Sequence, residues 1–152
     1  MNRSLIEESG TWHYGLVARW WAEFNMAEPH ELDYWRRAIK RYGEPAIDLG
    51  CGTGRFLVPL RREGFDIDGS DVSEDMLAEV RTQLVGLEQP PALFAQALHE
   101  LDLPRRYRTV FMCGVFGLGG SRRHDREALR RAHLHLEPGG TLVMIHTLPY
   151  NE

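Results

Sequence analysis

The chain has 152 residues, a net charge of −4, 43% apolar and 26% charged residues. That size suits one domain able to bury about 70% of its unfolded surface. The acidic balance leaves no electrostatic footprint for nucleic acid or an anionic membrane. No apolar run approaches the roughly 18 residues of a membrane span.

The N-terminus carries Glu7 and Glu8 and no apolar stretch, so no export signal is expected. Two cysteines, Cys51 and Cys113, read as reduced thiols in the cytoplasm, not as a disulfide framework. No His/Cys cluster has metal-ligand spacing, so no metal is expected.

Leu16, Val17, Trp20, Trp21 and Phe24 recur at helical spacing, which predicts a first helix. Its aromatics are either packing residues or part of a lid carried by Tyr14, Arg19 and Trp20. Leu32, Trp35, Ile39 and Tyr42 step by three and four, so a second helix fits 30–42, stopped by Gly43. Residues 1–43 thus form an N-terminal helical region before a core over 44–148.

Ala46, Ile47 and Leu49 read as a short buried strand, 45–49. It ends in Gly50, Gly52 and Gly54, after which the spacing turns helical. A strand, a glycine turn and a helix start bring bare backbone N–H groups against a ligand. Asp48 sits just inside the strand end. A dinucleotide fingerprint would need a third glycine at position 55, where Arg55 stands, and no Gly-Lys-Ser/Thr of a P-loop is present. The next helix is expected over 53–63, with a kink or a 3₁₀ stretch at Pro59.

A second strand fits 65–70 and is followed by Asp71-Val72-Ser73-Glu74-Asp75-Met76-Leu77. Ser73 is a good N-cap, with Met76, Leu77, Val80 and Leu84 on one helical face. Asp71 is then a carboxylate at a strand tip beside the glycine turn. It can accept hydrogen bonds from a ribose diol, or it is merely a helix-entry residue. Residues 86–91 are a loop, 92–95 a third strand and 108–113 a fourth. A helix fits 123–136, Pro138-Gly139-Gly140 a turn, and 141–145 a fifth strand. Alternating strands and helices imply an α/β fold with a parallel sheet and right-handed crossovers.

The run Asp48-Leu49-Gly50-Cys51-Gly52-Thr53-Gly54 resembles motif I of the class I S-adenosylmethionine-dependent methyltransferases. The strand, Asp71 and Ser73-x-x-Met76-Leu77 resemble their second, acidic motif, and Leu136-Glu137-Pro138-Gly139-Gly140 between a helix and a strand resembles a further signature. The resemblance covers about residues 12–148. It implies a Rossmann-like, doubly wound sheet of order 3-2-1-4-5, with the ligand crevice between strands one and four. It implies S-adenosylmethionine as cofactor and S-adenosylhomocysteine as product. The glycine turn (Gly50, Cys51, Gly52, Thr53, Gly54) and Asp48 would hold that cofactor. Asp71 would hold its ribose, and Val72 and Met76 would lie near the adenine. An N-terminal lid with Tyr14 and Trp20 would cover it. The third motif departs from the family pattern, because Ala97 stands where an acid is usual. Adenine recognition then falls to the backbone of Ala97 and Leu98 or to the Gln96 amide. Cys113 and Gly114 would lie beside the methyl group, with Phe116 as a substrate wall or a core aromatic.

The chemistry implied is in-line transfer of a methyl group to a nucleophilic atom, with donor and acceptor about 3–3.5 Å apart. His146 is the best-placed proton acceptor in sequence and His13 a weaker one; His133 and His135 read as partners of a helix C-terminus. No nucleophile elbow is present, and Cys113-Gly114-Val115-Phe116 lacks the Asn-Pro-Pro-Tyr type of the adenine- and glutamine-methylating branches. A small-molecule acceptor is expected. Two alternatives stand beside it: a cofactor-binding domain without catalysis, and a nicotinamide-dependent oxidoreductase, disfavoured by Arg55. Relatives continue with a sixth and an antiparallel seventh strand after the point where this chain ends. Strand five would therefore be an apolar edge, and pairing with a second copy is expected there.

Overall fold

The computed structural model describes residues 14–118 and 120–146; His13 and the last two residues of the expected core lie outside them. Helices α1 (Leu16–Phe24) and α2 (Pro29–Tyr42) precede a five-stranded sheet. The strands are β1 (Ala46–Leu49), β2 (Ile67–Asp71), β3 (Leu93–Ala95), β4 (Tyr107–Cys113) and β5 (Leu136–Ile145). Helices α3 (Leu57–Arg62), α4 (Glu74–Gln83) and α5 (Arg122–Leu134) connect them, with a 3₁₀ turn at Leu98–Glu100. All pairings are parallel and the order is β3-β2-β1-β4-β5, as the family resemblance implies.

Period-two alternation sends neighbouring side chains of each strand to opposite faces, and two cores result. On one face Ala46, Ile67 and Phe111 meet Trp35 and Ile39 of α2, Leu57 and Leu60 of α3, and Leu77 and Val80 of α4. Trp35 stacks on Phe111 at 4.4 Å between ring centroids and fixes α2 to the sheet. On the other face Ile47, Leu49, Val110 and Met112 meet Ala132 of α5 and Leu101 and Leu103 of the β3–β4 loop. Two bonds to His135 pin that loop. Its Nε2 accepts from the Leu103 N–H (2.9 Å), so its Nδ1 donates to the Arg131 carbonyl (2.8 Å) at the end of α5.

Several boundaries differ from the expected ones. The helix predicted over 53–63 starts only at Leu57, because the glycine turn extends through Gly54. Pro59 is the third residue of α3, where an N–H has no intrahelical partner, so no kink forms there. β2 runs through Asp71 instead of stopping at Ser70. Phe65, predicted to open it, donates its N–H to the Leu60 carbonyl and closes α3 instead. Pro138-Gly139-Gly140 is not a turn before β5 but an irregularity inside it. Tyr107 pairs with Leu136 and Thr109 with Thr141. Pro138 cannot donate to the ladder, and its carbonyl accepts from Arg108 (3.1 Å). The 3₁₀ turn was not anticipated. The remaining ends shift by a residue or two.

Candidate functional site

The tips of the three neighbouring strands are clasped by backbone hydrogen bonds. Past β1, the Gly50 and Cys51 N–H groups both donate to the Ser70 carbonyl of β2 (2.7 and 2.9 Å). The Gln96 N–H, just past β3, donates to the Asp71 carbonyl (3.0 Å). The Asp71 carboxylate closes the arrangement. One oxygen accepts from the Gly52 N–H and the other from the Ser73 N–H, each at 2.9 Å. Each oxygen keeps a further acceptor position. Ser73 in turn accepts from the Met76 N–H (3.2 Å) and caps α4.

The three glycines of the turn serve different ends. All have positive φ. A Cβ on Gly50 would lie 2.4 Å from Val115, and one on Gly54 2.5 Å from Val58, so both sit against packed side chains. A Cβ on Gly52 would meet nothing within 4 Å, nor would one on Gly114 at the tip of β4. Backbone at Gly52 therefore borders open space beside the Asp71 carboxylate, a cradle that an added side chain would fill.

Asp48 is 3% exposed. Among the described residues its carboxylate has no hydrogen-bond or ion-pair partner. Burial first, and the Asp71 carboxylate second, push it up to about 7. An uncompensated buried carboxyl of this kind calls for a cation. Burial, followed by the fields of Asp48 and Asp71, also pushes the Cys51 thiol up, and burial and Asp48 do the same to Cys113. Neither sulfur is a thiolate nucleophile at neutral pH.

The other predicted residues fall around this centre. Thr53 is buried, and its carbonyl accepts from the Gln83 amide (2.7 Å). Val72 is 47% exposed at the rim, while Met76 is buried beneath α4. The Gln96 amide is closed against the Asp102 backbone, donating to its carbonyl (3.1 Å) and accepting from its N–H (2.9 Å). Its role is to shape the loop that carries Ala97 and Leu98. Leu98 packs on the α5-side core. Cys113 packs half-buried on the opposite face. The Gly114 N–H donates to the Ile145 carbonyl (2.9 Å) and joins the tips of β4 and β5. His146, exposed just past β5, meets Phe116 edge to face at 5.7 Å.

Helix α1 spans the rim. At its start the Gly15 N–H, next to half-buried Tyr14, donates to Asp75 at the head of α4 (2.8 Å). At its end Asn25 accepts from Arg55, just past the glycine turn (3.3 Å). Trp20 is 54% exposed, with its ring 5.2 Å from Phe24. Arg55, at the position that argued against a dinucleotide fingerprint, also pairs with Glu31 of α2. Sequence reasoning missed Gly69 of β2, where a Cβ would lie 2.5 Å from Leu57 and 3.0 Å from Cys51. It also missed Asp75 and Val115. An isolated glycine in a strand was the available signal for Gly69; nothing local marked the other two. Among the described residues, no group of three or more His, Cys, Asp or Glu side chains could hold a metal ion.

A doubly wound parallel sheet, with a glycine turn on its central strand and a carboxylate on the adjoining tip, defines an α/β domain whose ligand site lies at the strand carboxyl ends. A family model for a methyltransferase domain matches residues 47–142, and the chain belongs to that family, the class I S-adenosylmethionine-dependent methyltransferases. It is 32% identical over 102 residues to a dTDP-3-amino-3,4,6-trideoxy-alpha-D-glucopyranose N,N-dimethyltransferase of Streptomyces venezuelae, a match covering 64% of this chain and 40% of that one. It is 28% identical over 132 residues to a glycine/sarcosine N-methyltransferase of Parasynechococcus marenigrum, covering 82% and 45%. The chain thus spans less than half the length of these curated relatives. In fold it is similar to an amino pentose methyltransferase of Micromonospora echinaspora, solved with S-adenosylmethionine bound. That likeness has a TM-score of 0.72 and 23% identity, and covers 89% of this chain and 57% of the other.

Proposed function

We propose that this chain binds S-adenosylmethionine over the tips of β1, β2 and β3, and that it supports methyl transfer to a nucleophilic atom of a small molecule. The observation that carries the reading is the open cradle at Gly52 beside the Asp71 carboxylate. Asp71 is the acceptor for a ribose diol. The backbone of Ala97 and Leu98 borders the adenine, with Val72 and Met76 flanking it. Asp48 is the partner of the donor's cationic end, and Gly50, Cys51, Gly52, Thr53 and Gly54 line the turn beneath. Cys113 and Gly114 border the methyl side. Bound there, the cofactor supplies a methyl group already activated on a sulfonium. The protein's own task is then to orient the acceptor, hold a proton and exclude water. His146 is the candidate to take the acceptor's proton, with Phe116 beside it. Tyr14 and Trp20 belong to a lid within the N-terminal region 1–43, of which residues 14–43 are described, and this region and the core of 44–148 make one domain.

The acidic balance supports a small-molecule acceptor over nucleic acid. No helix among the described residues is long and apolar enough to cross a membrane, and the cytoplasm is the compartment we assign. Among the described residues β5 is the outer strand of the sheet, with Met144 and Ile145 exposed. Pairing of two copies along it is the assembly we assign, and a monomer at all concentrations in light scattering would exclude it.

Calorimetric titration with S-adenosylhomocysteine and with NAD tests the binding reading. One-to-one binding of the first and none of the second is expected; the reverse would replace the reading with a nicotinamide-dependent one. Turnover of labelled donor against a panel of small amines and hydroxyl compounds tests transfer. Binding without turnover of any acceptor would favour the non-catalytic alternative.

A further inference from the structure

On the α5 side of the sheet, the 3₁₀ turn at Leu98–Glu100 and one face of α5 from Arg123 to Arg131 enclose a groove of about 800 Å³. Its walls include His99, Arg123, His124, Arg126, Arg130 and Arg131, with Glu127 as the one acid. The His99 and His124 rings stack face to face, 3.8 Å apart and parallel to within 1°, joining the turn to the helix. Glu127 is engaged by its neighbours. It accepts from Arg130 (2.7 and 2.8 Å) and from Arg131 (2.8 Å), and these guanidiniums hold its carboxyl down to about 2. Arg131 also donates to the Leu101 carbonyl (2.8 Å). Arg123 and Arg126 have no hydrogen-bond or ion-pair partner among the described residues. Four arginines against one carboxylate leave three formal positive charges here, in a chain whose total is −4.

That local reversal, inside a concave space of ligand size, is not the pattern of a solvated face, where charges of both signs interleave. Guanidiniums present planar forks of N–H donors that fit phosphate oxygens. The start of α5 adds the partial positive charge of a helix N-terminus. We propose that this groove is a second binding site, for a small phosphorylated metabolite, with Arg123 and Arg126 as the direct phosphate partners and the stacked histidines as a wall. The inference does not depend on the methyl-donor reading, since none of the groove residues belongs to the glycine turn or to the Asp71 clasp.

Pyrophosphate is the probe, titrated calorimetrically at about 0.15 M salt, where weak surface contacts are screened. Saturable one-to-one binding with a dissociation constant of about 1 mM or tighter is expected. In the double variant Arg123→Ser/Arg126→Ser it should weaken at least 10-fold, since two charge-assisted contacts are lost. Arg37→Ser, an exposed arginine on α2, should leave it unchanged. An unchanged circular-dichroism spectrum and melting temperature of the double variant serve as the check on folding. A nucleoside diphosphate binding at least 10-fold tighter than pyrophosphate would identify a nucleotide as the source of the phosphate. Equal affinity for pyrophosphate and a sugar phosphate would identify the phosphate alone as the recognised group. Absence of pyrophosphate binding, or equal binding by the double variant, would overturn the proposal. So would binding of a single-stranded oligonucleotide with steep salt dependence while pyrophosphate fails to compete.

Discussion

Asp48→Asn separates what this carboxylate costs the fold from what it gives the site. Asn keeps the shape and removes the charge. Raising the carboxyl from 3.8 to about 7 means that the ionised form costs the folded state roughly 4 kcal/mol, at about 1.4 kcal/mol per pH unit. Because the folded-state value lies above the unfolded one, folding favours the neutral form. Stability from this group is complete below about pH 3.8 and is lost as pH rises through 7. The cofactor-free wild type should therefore lose stability relative to Asp48→Asn as pH rises from 5 to 8. At pH 8 the variant should be the more stable by up to roughly 4 kcal/mol. A ligand ammonium group beside Asp48 reverses the preference, since it needs the ionised carboxylate. S-adenosylhomocysteine affinity of the wild type should be about 10-fold weaker at pH 6 than its plateau, and about 100-fold weaker at pH 5. In Asp48→Asn, affinity should be lower at pH 8 and flat with pH. Urea unfolding and calorimetry across that range read both effects. Parallel stability profiles for the two proteins, or a wild-type affinity that does not change between pH 5.5 and 8, would refute the reasoning.

Gly50→Ala places a Cβ at 2.4 Å from Val115 on a φ of +76° and should cost about 2–4 kcal/mol by urea unfolding. Gly52→Ala has open space and should cost only about 1 kcal/mol. It should nonetheless lower S-adenosylhomocysteine affinity more than Gly50→Ala does at matched stability. Asp71→Ala orphans the Gly52 and Ser73 N–H groups. It should cost about 1–3 kcal/mol and abolish measurable cofactor binding, read by thermal shift and calorimetry. His146→Ala, at an exposed position, should leave the melting temperature within a degree or two while kcat falls about 100-fold or more, with a changed pH–rate profile.

The strands, the glycine turn, the place of Asp71 at a strand tip and the Ser73 cap were legible because each is local, while the strand order was implied by the family resemblance. A short apolar run, a glycine triplet and an N-cap residue announce themselves within a few positions. What stayed hidden depends on contacts distant in sequence. The divided roles of Gly50, Gly52 and Gly54 follow from where Val115 and Val58 land. Gln96 was a candidate adenine contact, and only the fold of its loop shows that its amide is spent on Asp102. Pro138-Gly139-Gly140 carries a turn composition, yet pairing with β4 on either side keeps it within the strand. The four arginines of the basic groove share α5, but the concavity depends on the 3₁₀ turn packing its His99 ring against that helix, a contact distant in sequence.

The most direct test of the account is a crystal structure of this chain grown with S-adenosylhomocysteine. It should place the ribose hydroxyls at about 2.5–3.0 Å from the Asp71 carboxylate and the homocysteine ammonium beside Asp48, above Gly52. An adenosine bound anywhere else, with no ribose hydroxyl on the Asp71 carboxylate, would contradict it.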